Sequence, residues 1–265
     1  MTRVLAESNN IIEIFVFPIM SIPKLSGFGK EFHLCSYERR NLINTNETTI
    51  MLEKFTPWNP DVVTRYTAAG YWENRTITDM VYATAQQYPE KVALIEGERR
   101  ITYGELHKHV ERLAYLLLGR GIGNSDRVVM QLPNSIEFVF SYLALTRIGA
   151  IPVMALMGHR QTEIHHFVSS SGSVAYMISG EYHRFDYRQM AKAVTQVCPT
   201  LKTILVLGDP LIGQVSLRRL IEEDVPSTEV SAGLADIRPN PLDVVTMLLL
   251  RWYHLHVEVD STHSQ

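Results

Sequence analysis

"DRVVMQLPNSIEFVFSYLALTRIGAIPVMAL", residues 126–156, decides the fold. It begins with a short apolar run, 127–132, which is strand length rather than helix length. Pro133, Asn134 and Ser135 then interrupt the run with turn chemistry. Asn134, with Glu137 three residues on, opens a helix that runs to the Gly149 stop. "AIPVMAL" is a second short apolar run. Neither run alternates with polar residues, so both are expected to be strands covered on two faces. Strand, helix and strand at this spacing imply a right-handed crossover and a parallel pair.

The same alternation continues downstream. Downstream lie a helix at 160–172, a strand at 174–180, a helix at 186–199 and a strand at 203–209, then a helix at 216–224 and a strand, "DVVTMLL", at 243–249. Upstream, "VALIEG" is a strand with a glycine turn. Thr76 with Asp79, and Thr102 with Glu105, have capping-box spacing at two further helix starts. Leu106, Val110, Leu113, Ala114 and Leu117 form one apolar stripe, and Gly121 suits the turn beyond that helix. The fold class is α/β, a mostly parallel sheet with crossover helices.

Composition narrows the function. A hydrophobic content of 46% supports a substantial core, and a net charge of -3 gives no electrostatic case for nucleic acid or an anionic membrane surface. "IIEIFVFPIMSI" contains Glu13 and Pro18 and is too short to span a bilayer. Glu7 offsets Arg3 and no clean cleavage site follows, so it is not expected to be a secretion signal. Cys35 and Cys198 form no CxxC, which argues against a disulfide framework or zinc knuckle and for a cytoplasmic protein.

Local motifs carry little chemistry. "GRGIGNSD" (119–126) and "SSSGS" (169–173) both follow a helix and precede a strand. A dinucleotide loop needs strand, glycines, then helix, so both are expected to be turns. His159, His165 and His166 lack an acidic or cysteine partner at ligand spacing and are not expected to bind metal. GxSxG is absent, and no nucleophile–base pair is visible. Ligand is expected at the carboxyl ends of the strands, above all after "DVVTMLL".

"FTPWNPDVVTRYTAAGYWENRTITDM", "ITYGEL", "ALTRIGAIPV" and the "HR" after "PVMAL" together resemble the adenylate-forming (AMP-dependent synthetase/ligase) superfamily. The opening and the "HR" look specifically like the 2,3-dihydroxybenzoate-AMP ligases of siderophore synthesis. The resemblance runs from Met51 to Leu249. It implies ATP-dependent adenylation of 2,3-dihydroxybenzoate or salicylate, with Mg²⁺, and transfer to the thiol of an aryl carrier protein. It also implies a phosphate loop, S-G-G-T-T-G-x-x-K, directly after the strand at 243–249, then I-P-R-T-H-N, with a late catalytic lysine beyond.

Residues 250–265 instead read "LRWYHLHVEVDSTHSQ". Read from the second nucleotide of each codon, Leu250 onward can encode S-G-G-T-T-x-T-x-K-x-I-P-R-T-H-N. Leu255–His256 cannot supply the glycine expected there. The tail is therefore expected to be the phosphate loop out of frame, and His254, His256 and His263 lose any metal reading. Met51 reads as a natural start. The expected organisation is an extension, 1–50, foreign to the domain; the N-terminal part of an AMP-binding domain, 51–249; and an out-of-frame tail, 250–265. On this reading no catalytic, ATP-binding or metal residue falls within the chain, which is itself expected to be inactive. The alternative is a non-catalytic binding or regulatory short form, or a pseudogene product. Truncation at an interior strand is expected to leave apolar surface around 244–249.

Overall fold

The computed structural model of the protein describes residues 58–248 and the backbone of Ile12–Ile14. In chain order the elements are β1 (Ile12–Ile14), α1 (Pro60–Ala68), α2 (Ile77–Gln87), β2 (Val92–Glu96), β3 (Arg99–Thr102), α3 (Tyr103–Leu118) and β4 (Arg127–Gln131). Then come α4 (Ile136–Arg147), β5 (Ile151–Met154), α5 (Gln161–Ser171), β6 (Ala175–Ser179), β7 (Glu181–Tyr182), β8 (Phe185–Asp186) and α6 (Tyr187–Val197). β9 (Thr203–Leu207), β10 (Val215–Ser216), α7 (Leu217–Glu222), α8 (Ser227–Leu234) and β11 (Met247–Leu248) complete the set.

Six strands form a sheet of order β10-β9-β6-β4-β5-β11, parallel at every pairing. The direction of strand addition reverses after β5, and the connecting helix changes face when it does, as a fixed crossover hand requires. α3, α4, α7 and α8 pack on one face against Val128, Met130, Ala175, Met177 and Leu205. α5 and α6 pack on the other against Val129, Val153, Tyr176, Ile178, Ile204 and Val206. Alternate residues of one strand thus feed different layers, which is why the strands read as continuous apolar runs.

Both capping boxes form as the spacing implies, at Thr76–Asp79 and Thr102–Glu105. The α3 stripe is buried at all five positions. Three expectations are corrected, at Asn134, Glu137 and "DVVTMLL". Ser135, not Asn134, caps α4, its hydroxyl accepting from the Phe138 N–H at 3.1 Å. Glu137 instead pairs with Arg99 at 2.9 Å, fixing β3 to α4. "VALIEG" lies outside the parallel sheet: β2 and β3 form an antiparallel hairpin that turns at Gly97, and β1 flanks β2. Of "DVVTMLL", only Met247 and Leu248 are strand among the described residues. Asp243 to Thr246 approach the sheet as loop, tethered where the Thr246 hydroxyl donates to Pro152 O at 3.1 Å.

Candidate functional site

The carboxyl ends of the parallel strands define one edge, built from the residues after β4, β5 and β6 and from the end of β11. β4 sends the chain to β5 on one side and precedes β6 on the other, so the strand order reverses around it. Gln131, the last residue of β4, is fully buried there. Its Nε2 donates to Leu156 O at 2.8 Å and to His159 O at 2.9 Å, and its Oε1 accepts from the Tyr176 hydroxyl. Burial pushes the Tyr176 phenol well above its usual range, so it remains a donor.

The loop 155–160 follows β5 and is bonded at the carbonyls of Leu156, Met157, His159 and Arg160. Met157 O accepts from the Tyr187 hydroxyl at 2.8 Å and from Arg160 Nη1 at 2.7 Å. His159 Nδ1 accepts from the Leu156 N–H at 3.1 Å, and the Arg160 guanidinium lies over the Phe185 ring at 4.2 Å. Leu156 itself is 72% exposed. β11 runs parallel to β5 with Leu248 opposite Met154. Next to it the β7–β8 hairpin turns through His183 and Arg184, both left-handed, and Arg188 fastens it to Asp186 at 2.8 Å and Glu181 at 2.6 Å. That hydrogen bond from Arg188 holds the Asp186 carboxyl below its usual range.

The histidines expected not to form a metal site are not brought together. His159 is engaged in the loop, with its ring edge-on to Phe167 at 5.0 Å. His165 and His166 are exposed on α5, where His166 Nδ1 contacts Ser170 Oγ at 3.2 Å. Among the described residues no group of three or more His, Cys, Asp or Glu side chains could hold a metal ion. His254, His256 and His263 lie outside the described residues, as do the tail and most of the 1–50 extension.

The two glycine-rich turns sit at the opposite, amino edge. Arg127 ties them together, donating to Ser171 O at 2.7 Å, Gly172 O at 3.1 Å and Ser125 O at 2.7 Å. It thereby satisfies carbonyls at the α5 carboxyl terminus. A cleft of about 590 Å³ between α3 and the α7–α8 connection is lined by Tyr115, Arg120, Asp224 and Glu229. It too lies where α3 ends and β4 begins, away from the strand carboxyl ends. Sequence reading missed Gln131 and Arg127; the available signal was a polar residue at each end of the otherwise apolar "RVVMQ". No helix among the described residues is long and apolar enough to cross a membrane.

Residues 81–247 match the family model described as AMP-binding enzyme. The chain is 40% identical over 159 residues to the 2,3-dihydroxybenzoate-AMP ligase of Bacillus subtilis, covering 60% of this chain and 30% of that protein. It is 38% identical over 161 residues to the salicyl-AMP ligase / salicyl-S-ArCP synthetase of Mycobacterium tuberculosis, covering 59% and 28%. Among solved structures, apo MbtA of Mycobacterium smegmatis superposes with a TM-score of 0.66 at 32% identity, covering 74% of this chain and 35% of that one. The chain thus spans about three tenths of the length of these curated relatives. With the family match running from α2 to β11 over the parallel sheet, the chain belongs to the AMP-binding enzyme family.

Proposed function

We propose that this chain is the N-terminal part of an ATP-dependent aryl-acid ligase. The intact enzyme would adenylate 2,3-dihydroxybenzoate or salicylate and pass the acyl group to a carrier-protein thiol in siderophore synthesis. The observation that carries this is the match of residues 81–247 to the family model over the parallel sheet, together with the names of the relatives. Relatives are named as aryl-acid AMP ligases, and one also as a salicyl-S-ArCP synthetase.

In-line attack of a carboxylate on an α-phosphorus needs donors and cations around the phosphates. Residues 250–265 do not spell a phosphate loop in frame. The 265-residue chain alone is therefore proposed to be inactive, with the loop encoded in the shifted frame. Sequencing the locus from codon 240 onward tests this. A second frame that stays open into a ligase with a late lysine supports it, and one that closes at once sinks it. ATP–pyrophosphate exchange by the purified chain with either acid is expected to be at background.

A further inference from the structure

We infer that Gln131 is a positioning residue of the carboxyl edge, acting with Tyr176 to set the height of loop 155–160 above β4 and β5. The inference rests on reading that edge as the ligand edge.

Gln131 is a polar side chain at a fully buried position of an otherwise apolar strand end. A buried amide is tolerated only if its hydrogen-bonding capacity is met, since each unmet buried polar group costs about 1–3 kcal/mol. Here that capacity is spent on one loop and one hydroxyl. The bonds cross three adjacent strands: the loop belongs to β5, the amide to β4 and the phenol to β6. The two amide hydrogens reach carbonyls three residues apart, Leu156 and His159, so they set the height of the turn between them. Leu156 O and His159 O each have a second donor, His159 N at 3.0 Å and Arg160 Nη1 at 3.0 Å. Loss of the amide therefore leaves neither carbonyl bare. The fold does not need Gln131 to satisfy the loop; the amide adds a fixed placement.

Amide hydrogen exchange on the whole chain tests this without catalysis, so its failure is separate from failure of the proposed function. Gln131→Met removes the loop bonds and orphans the Tyr176 hydroxyl. The Gln131→Met/Tyr176→Phe double variant removes the loop bonds and the orphan together, leaving an apolar interior. A purely structural role predicts that the double variant regains both thermal stability and loop protection. Positioning predicts that stability returns while the Leu156 and His159 amides still exchange about tenfold faster than wild type, with β6 and β9 amides unchanged. Wild-type loop protection in the double variant overturns the inference. If Gln131→Met alone does not fold, the double variant still decides. Tyr176→Phe alone, which keeps both loop bonds, is expected to leave loop exchange within about twofold of wild type.

Discussion

Arg147 Nε lies 2.7 Å from Glu111 Oε1, joining α4 to α3 in the interior of one helical layer. The same guanidinium donates to the Tyr82 hydroxyl at 2.9 Å, to Ile237 O at 3.0 Å and to Leu234 O at 3.4 Å. One side chain thus fastens α2, α3, α4 and the segment after α8. Glu111 is only part-buried, so losing this charge-assisted network costs about 1.5–3 kcal/mol. Arg147→Ala is expected to lose stability of that order in urea unfolding. Lysine should recover little, because a single ammonium cannot reach the same fan of acceptors. Arg218, exposed and 3.9 Å from Glu222, is the control, and its alanine variant should change stability by less than about 0.5 kcal/mol. Equal effects at the two positions would refute this account of the hub.

Acid sensitivity should begin above the carboxylate range. Burial lowers the pKa of His107, helped by the nearby Arg147 charge; its ring is edge-on to Tyr82 at 4.2 Å. Burial also lowers that of His109, helped by Arg112; its ring stacks on Phe140 at 4.6 Å. With the folded values below the ordinary 6.5, the unfolded chain binds more protons in the interval between them. The stabilisation is fully present above about pH 6.5 and is lost as the pH falls through the depressed folded values. The thermal midpoint is expected to drop between pH 7 and 5, and the drop to flatten in a His107→Gln/His109→Gln variant. An unchanged slope in that variant would exclude these histidines as the cause.

Gly149 closes the turn from α4 into β5 at φ +72°, and a Cβ there would lie 2.2 Å from Asn124 Oδ1. The left-handed backbone alone costs a non-glycine residue about 1–2 kcal/mol. Gly149→Ala should therefore destabilise by at least that much. Leu113→Ala, at a fully buried position of α3, should cost about 2–5 kcal/mol. Chemical denaturation reads both, and a neutral Gly149→Ala would show that the turn relaxes freely.

The edge at β11 is expected to be adhesive. Val245 is 40% exposed and Leu248 is 72% exposed, beside a strand whose outer side has no partner strand among the described residues. Unpaired strand edges with apolar side chains template association. The purified chain should bind an apolar dye and elute as mixed oligomers. A Val245→Lys/Leu248→Lys variant should reduce both signals. A monodisperse, dye-silent wild type would contradict this.

Much of this was legible from local signals. The capping boxes, the α3 stripe and the continuous apolar strands each depend on residues within one or two turns of one another. Their readout agrees with the structure at Thr76, Thr102 and Leu106 to Leu117. The misreadings were of two kinds. Where two cap-forming residues adjoin, as at Asn134 and Ser135, spacing cannot say which one bonds the helix. Where an apolar run approaches the sheet, as at Asp243 to Leu248, composition does not reveal where strand pairing begins.

The sequence by itself determined the alternation of strands and helices and the family likeness, because periodicity and motif order are written along the chain. Only the tertiary structure decided what lies at each edge. Gln131 meets loop 155–160 and Tyr176, and Arg127 meets Ser171, because parallel strands bring residues 25 to 45 positions apart into contact. Hydrogen bonds over that separation leave no periodic trace in the chain. Which polar residue is buried and fully bonded was therefore settled by packing alone.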